Sequence, residues 1–358
     1  MELWKDNWEE TKERFSKWWD GKGFLIGSWL PPPSSAAYSE VENPGPAVSL
    51  EQQWSDIEWR IRHDKYVLAN SSFLLDTLCV AEAWFGPGSM ALYLGSEAGY
   101  SEETIWYHPV ISDAEGYGKI RIDEENRWWK LLIEYIEKTK AASEGHYYTG
   151  GPDWVENWDV LSSLRGCQTL LMDMIERPGW VKEKIAEINQ VWFKAYDKVH
   201  KMVRSQDGES GFGWFKLWAP GKVAKLQCDG SAMFSPAMFK EFVVSALTEQ
   251  CEWLDYSMFH LDGSQCICHL DALLEIEALD AIEWTPDPRV PKGSDPCWYE
   301  MYKRILGAGK RVQVLNAQPD EIRPLLDAVG VDGLYFLCNM ESEAQAEEYL
   351  RVAERVRS

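Results

Sequence analysis

The chain has 358 residues, 45% of them hydrophobic, with 36 basic residues against 58 acidic ones and a formal net charge of −22. That length supports a large core, as one big α/β domain or two smaller ones, and the acidity disfavours nucleic acid and anionic membranes as partners. No apolar run approaches the ~20 residues of a membrane span, and the polar start Met1-Glu2-Leu3-Trp4-Lys5-Asp6 is unlike a secretory signal, so the expected location is the cytoplasm.

Residues 3–19 carry Leu3, Trp4, Trp8, Phe15, Trp18 and Trp19 at roughly helical spacing, with charges between them. Gly21 and Gly23 stop that helix, and Phe24-Leu25-Ile26-Gly27-Ser28-Trp29 predicts a first strand before a triple-proline loop. Residues 50–70 read as one helix and Ser72-Phe73-Leu74-Leu75-Asp76 as a second strand. Residues 90–94 predict a short helix, 101–122 loop and short extended pieces, and 124–142 an amphipathic helix. His146-Tyr147-Tyr148-Thr149 is a third strand entering a glycine turn. Helices are expected over 157–176 and 179–205. Residues 210–218 and 223–229 form a hairpin-like excursion leading into strand four, and a helix spans 236–254. Strands at 257–261, 280–284, 311–315 and 333–338 then alternate with helices near 269–278, 295–308, 320–329 and 342–356.

Such alternation with short connections predicts parallel βα units. Eight strands in all favour an α/β fold of the (β/α)8 TIM-barrel type, as a single domain over residues 1–358. Its site is expected at the mouth formed by the C-terminal strand ends. Ser257-Met258-Phe259-His260-Leu261-Asp262-Gly263 is the clearest such end, and Lys225-Leu226-Gln227-Cys228-Asp229 is another. No glycine-rich nucleotide fingerprint stands at a strand-to-helix turn. The eight scattered cysteines read as free thiols in a reducing compartment. Among 20 tryptophans, Trp29, Trp218 and Trp284 lie near strand ends and are candidate walls of an apolar substrate pocket, although core packing is the commoner use of tryptophan.

The series Tyr148-Thr149-Gly150-Gly151-Pro152, Leu164-Arg165-Gly166, Arg177-Pro178, Ser235-Pro236-Ala237-Met238-Phe239, His260-Leu261-Asp262-Gly263 and Ala281-Ile282-Glu283-Trp284 resembles the uroporphyrinogen decarboxylase superfamily, whose fold is a TIM-type barrel. True decarboxylases of that superfamily carry an arginine-rich segment after the first strand. Here that segment is Ser28-Trp29-Leu30-Pro31-Pro32-Pro33, and no arginine lies between Arg14 and Arg60. A polycarboxylate substrate needs such cations. The resemblance therefore leans to the branch similar to methylcobalamin:coenzyme M methyltransferases, which hold zinc through a His-x-Cys pair and a distant cysteine.

What that branch implies here is a Zn²⁺ site at His260, Asp262 and Cys338, with Asp262 standing where the branch has cysteine. Cys228 is a substitute thiol for that position, and Asp229 a partner that orients His260. From their place beside a strand end, Glu283 or Asp287 is a candidate general acid or fourth ligand, with a solvated loop carboxylate as the commoner use; decarboxylases of the superfamily bind substrate through an aspartate in the region of Asp76, for which a turn cap is the alternative. The alternative assignment gives His260 a backbone or substrate hydrogen bond, makes Asp262 a helix cap and buries Cys338. Cys266-Ile267-Cys268-His269 lacks a second ligand pair at any standard metal spacing. The implied activity is zinc-dependent methyl transfer between a corrinoid (cobalamin-type) carrier, or a corrinoid protein, and a small-molecule thiol. Metal-free decarboxylation and a non-catalytic ligand-binding barrel are the competing readings. The resemblance also implies a homodimer.

Overall fold

The computed structural model describes residues 3–155 and 157–357. Eight strands run parallel to their ladder neighbours: β1 (Phe24–Ser28), β2 (Val80–Glu82), β3 (Tyr148–Gly150), β4 (Val223–Gln227), β5 (Tyr256–Asp262), β6 (Ala281–Thr285), β7 (Arg311–Leu315) and β8 (Leu334–Cys338). Six of them form one continuous sheet in the order β1-β8-β7-β6-β5-β4, and β2 with β3 forms a separate parallel pair. β1, β4 and β8 are buried along their whole length, as strands covered on both faces should be.

Two strand seams are bridged by other means than a ladder. Between β1 and β2, Asp76 does the joining. Its N–H donates to the Ile26 carbonyl at 2.8 Å, and its Oδ2 accepts from the Ile26 N–H at 2.9 Å. Thr77 Oγ1 accepts from the Ser28 N–H at 3.1 Å. Between β3 and β4 stands a small antiparallel hairpin, Ser210–Phe212 with Leu217–Ala219, bridged to the β3 side through Gly151 and Phe212. The fully buried ion pair of Lys225 with Asp153, at 2.8 Å, spans the same gap.

The helix Trp8–Trp19 buries Trp8, Thr11, Phe15, Trp18 and Trp19 as one stripe. It covers the N-terminal strand ends: Phe15 and Trp18 meet Tyr335 edge-on at 5.6 and 5.7 Å, and Trp18 Nε1 donates to the Gly333 carbonyl. Helicity begins at Trp8, not Leu3, because Lys5 is drawn off to another task. Its buried ammonium donates to the Phe73 and Leu75 carbonyls at 2.8 Å each. Burial lowers its pKa from about 10.5 to about 7. The unfolded chain therefore binds this proton more tightly, and folding gains stability as pH rises through that window. Wild type should gain up to a few kcal/mol over Lys5→Met between pH 7 and 10 in denaturant titrations; a constant difference across that range would refute this.

Other departures from the sequence expectations have local causes. The helix expected over 50–70 is two helices, Leu50–Ser55 and Ile57–Ala69, because Asp56 turns out of the helix to cap the second one through the Trp59 N–H. Similarly, 157–176 divides into Asn157–Arg165 and Cys167–Glu176 at Gly166, whose φ of +88° an L side chain resists. The expected strand at 72–76 is irregular chain, since Asp76 bonds to β1 and the second strand starts only at Val80. The helix over 236–254 contains a π-turn at Lys240–Val244. Residues 97–108 pair as a hairpin, Glu97–Tyr100 with Ile105–His108. No helix among the described residues is long and apolar enough to cross a membrane.

Candidate metal centre and adjoining pocket

Register across the sheet decides which strand residues share a face. Gln227, His260, Glu283, Gln313, Tyr335 and Leu25 lie in one row, each paired with its neighbour. Strand side chains alternate with a period of two, so Asp262 shares the face of His260, while Leu261, Trp284 and Phe336 point the other way. The row is polar from β4 to β8, which no apolar core would require. At one point it is tightly knit: Glu283 is fully buried and hydrogen-bonds His260 Nδ1, while its other oxygen accepts from Thr285 Oγ1 at 2.8 Å.

That bond leaves His260 Nε2 for a ligand. Burial disfavours the imidazolium, yet the Glu283 charge and hydrogen bond outweigh it and hold His260 above its ordinary pKa. Glu283 itself is raised by burial, partly offset by His260. Around His260, one ligand atom each from Asp229, His260 and Asp262 lie within 4.8 Å of one another. Asp229 is exposed and the other two are half-buried, so the group is open to solvent. Asp262 is raised by burial, with His260 pulling it back down.

The Asp229 end is braced from behind. Asp159 accepts from the backbone N–H of Asp229 at 2.7 Å and of Gly230 at 3.1 Å. Burial, and then the Asp229 charge, push the Asp159 carboxyl upward. Gln227 Nε2 donates to Asp229 Oδ2 at 2.7 Å. Gly230 has to be glycine, because a Cβ there would stand 1.8 Å from the Trp158 ring.

The structure thus gathers His260, Asp262, Asp229 and Glu283 but does not bring Cys338 to them. Cys338 has the outward phase of Phe336. It is fully buried and donates to the Ala317 carbonyl at 3.3 Å, beside the Tyr349 hydroxyl that bonds the same carbonyl. Burial pushes its thiol up to about 12. Cys228 is also buried, and its thiol is pushed well above the usual range by burial and by Asp159 and Asp229. Among the described residues, the cluster with metal-ligand spacing is Asp229, His260 and Asp262, and neither cysteine belongs to it. Asp287 caps the turn after β5, accepting from the Ser264 N–H at 2.7 Å and Oγ at 2.5 Å. In the 266–269 run Cys266 meets Ser231 Oγ, the exposed Cys268 lies 3.7 Å from His269 Nδ1, and the His269 ring stacks on Phe239 at 4.4 Å.

Three further expectations need correction. Asp76 is taken up by ion pairs within the scaffold. It is fully buried between Arg14 Nε at 2.5 Å and Arg357 Nη2 at 3.4 Å. Trp218 packs on Trp8 and Phe15 beneath the strands, and Trp284 faces outward onto Trp298 at 5.0 Å. Both are buried core residues, and Trp284 is turned outward by its phase on β6.

Trp29 does line a cavity, of about 1160 Å³. Trp54, Trp59, Trp84 and Trp214 line it with Trp29. The loop 213–216 contributes Trp214 and Lys216 to this cavity. Phe215 and Lys216 hold φ of +63° and +48°, an unusual pair of left-handed non-glycine residues. Their carbonyls are pinned by Gln313 Nε2 and Tyr335 Oη, both at 2.9 Å, and Lys216 pairs with Glu82. Phe215 stands between cavity and triad, 5.0 Å from the Trp29 ring and 4.8 Å from His260. The only sequence signal for this loop is its aromatic density between glycines, Gly211-Phe212-Gly213-Trp214-Phe215.

Comparison with known proteins first defines the class of fold. No protein-family model matches the sequence, and no curated protein matches it significantly. Among solved structures, a methyltransferase from Methanosarcina mazei superposes with a TM-score of 0.60 over 97% of this chain and 99% of that one, at 12% identity. The likeness shows a shared fold across nearly the whole chain.

Proposed function

We propose that the protein is a zinc-dependent methyltransferase, an eight-stranded (β/α) barrel with its site at the C-terminal mouth. The observation that carries this reading is the convergence of Asp229, His260 and Asp262 at two adjacent strand ends, with Glu283 fixing the imidazole. Support for the barrel comes from the eight parallel strands and from the side-chain bonds that bridge the β1–β2 seam. Support for the chemistry comes from the structural neighbour, which is a methyltransferase.

One imidazole and two carboxylates fit Zn²⁺, and three protein donors leave a fourth position open to substrate. A zinc ion bound there would supply a lowered pKa and a fixed orientation to a small-molecule thiol. Glu283 keeps the proton of His260 on Nδ1, so that Nε2 presents its lone pair. Asp159 holds the backbone under Asp229, and Phe215 covers His260 from the cavity side. The methyl carrier would be a corrinoid presented by a separate protein; we assign no residue of this chain to it.

Glu283→Gln should retain the fold and bind zinc about 10–100-fold more weakly in chelator competition; unchanged affinity would show that Glu283 plays no orienting part. For the activity, zinc-loaded protein is mixed with methylcobalamin and a thiol panel, and loss of the methylcobalamin absorbance is followed. Turnover that vanishes in Asp262→Asn supports the proposal. Failure to bind zinc after loading, or turnover indifferent to zinc, would overturn it.

A further inference from the structure

We propose that the indole-lined cavity binds a planar aromatic molecule that is uncharged or cationic. The inference deepens the methyl-transfer reading by naming a ligand class for the same mouth, and rests on that reading only for the ligand's fate. Three half-buried indoles make a continuous wall. Trp84 and Trp214 stack at 4.1 Å with 19° between their planes, and Trp29 joins Trp214 at 5.6 Å. Half-buried rings keep part of their surface accessible in the cavity, and flat π-faces pair best with another flat ring. Trp54 and Trp59 commit their N–H groups to the Ser101 and Gly45 carbonyls, so they offer the cavity hydrocarbon surface.

Charge settles the sign. Asp64, Glu82, Glu102 and Glu103 line the cavity against two permanent cations, Arg60 and Lys216. Both cations are spoken for. Arg60 Nη2 donates to the Trp84 carbonyl at 2.6 Å and its guanidinium lies over Phe85 and Tyr135, while Lys216 pairs with Glu82. An anionic ligand would meet four acids, and among the lining residues no cation that is not already engaged. Indole faces attract positive charge and electron-poor rings. Since Phe215 touches both Trp29 and His260, a ligand on this wall lies one ring away from the triad.

Isothermal titration of the full chain with four probes tests this. The probes are N-methylquinolinium (planar, cationic), quinoline (planar, neutral), 1-naphthoate (planar, anionic) and N-methylquinuclidinium (cationic, not planar). The first two should bind, and the last two at least about tenfold more weakly. Trp84→Leu keeps apolar bulk but removes a stacking face, and should weaken N-methylquinolinium roughly tenfold. Naphthoate or quinuclidinium binding as tightly as the planar cation, no binding by any probe, or an indifferent Trp84→Leu would each overturn the proposal. Probe binding should persist in His260→Ala, so a failed metal centre and a failed pocket give different results.

Discussion

His260→Ala is expected to lower zinc content after loading from about one ion per chain to near zero, with the fold retained. Its imidazole is the one nitrogen donor of the cluster and the one that Glu283 orients, and the two remaining carboxylates, Asp229 exposed and Asp262 half-buried, make a poor zinc site alone. Asp262→Asn and Asp229→Asn should lose zinc as well. Cys338→Ala should not, since its thiol is buried against the Ala317 carbonyl, on the opposite face of β8 from the site. Elemental analysis of the four variants checks this directly. Zinc lost from Cys338→Ala but kept by Asp229→Asn would refute the assigned ligand set.

Asp76→Ala should be the most destabilising single change considered, costing about 3–5 kcal/mol. Its fully buried carboxylate accepts from the Ile26 N–H and pairs with Arg14 of the first helix and Arg357 of the last. Removing it leaves a buried N–H without its acceptor and two guanidinium groups without their anion. Asp76→Asn keeps an acceptor for Ile26 and should cost less. Denaturant midpoints at constant slope measure both. A loss below about 1 kcal/mol for the alanine variant would mean that the β1–β2 seam does not depend on this residue.

The last half of the chain was legible because its βα units are short and each strand is a brief, mostly apolar segment between helical stretches. β7 spans 311–315 as the sequence predicts, and β8 falls within one residue of the expected bounds. His260 and Asp262 were legible as a pair, since residues two apart on a strand must share a face. The phase of one strand relative to another is not in a single sequence. Cys338 and Trp284 sit near strand ends as expected but face the helical layer, and only the register reveals it. Asp229 lies beyond its strand, where no alternation rule applies, and its place beside His260 comes from the Gln227–His260 pairing. The conformation of the loop 213–216 was not legible for a different reason: two left-handed residues, neither of them glycine, are held by partners about 100 residues away.

X-ray absorption at the zinc edge, on loaded protein without added thiol, addresses the central claim most directly. The account predicts a first shell of nitrogen and oxygen alone, near 2.0–2.2 Å. A sulfur scatterer at about 2.3 Å would place a cysteine on the metal and contradict a centre built from Asp229, His260 and Asp262.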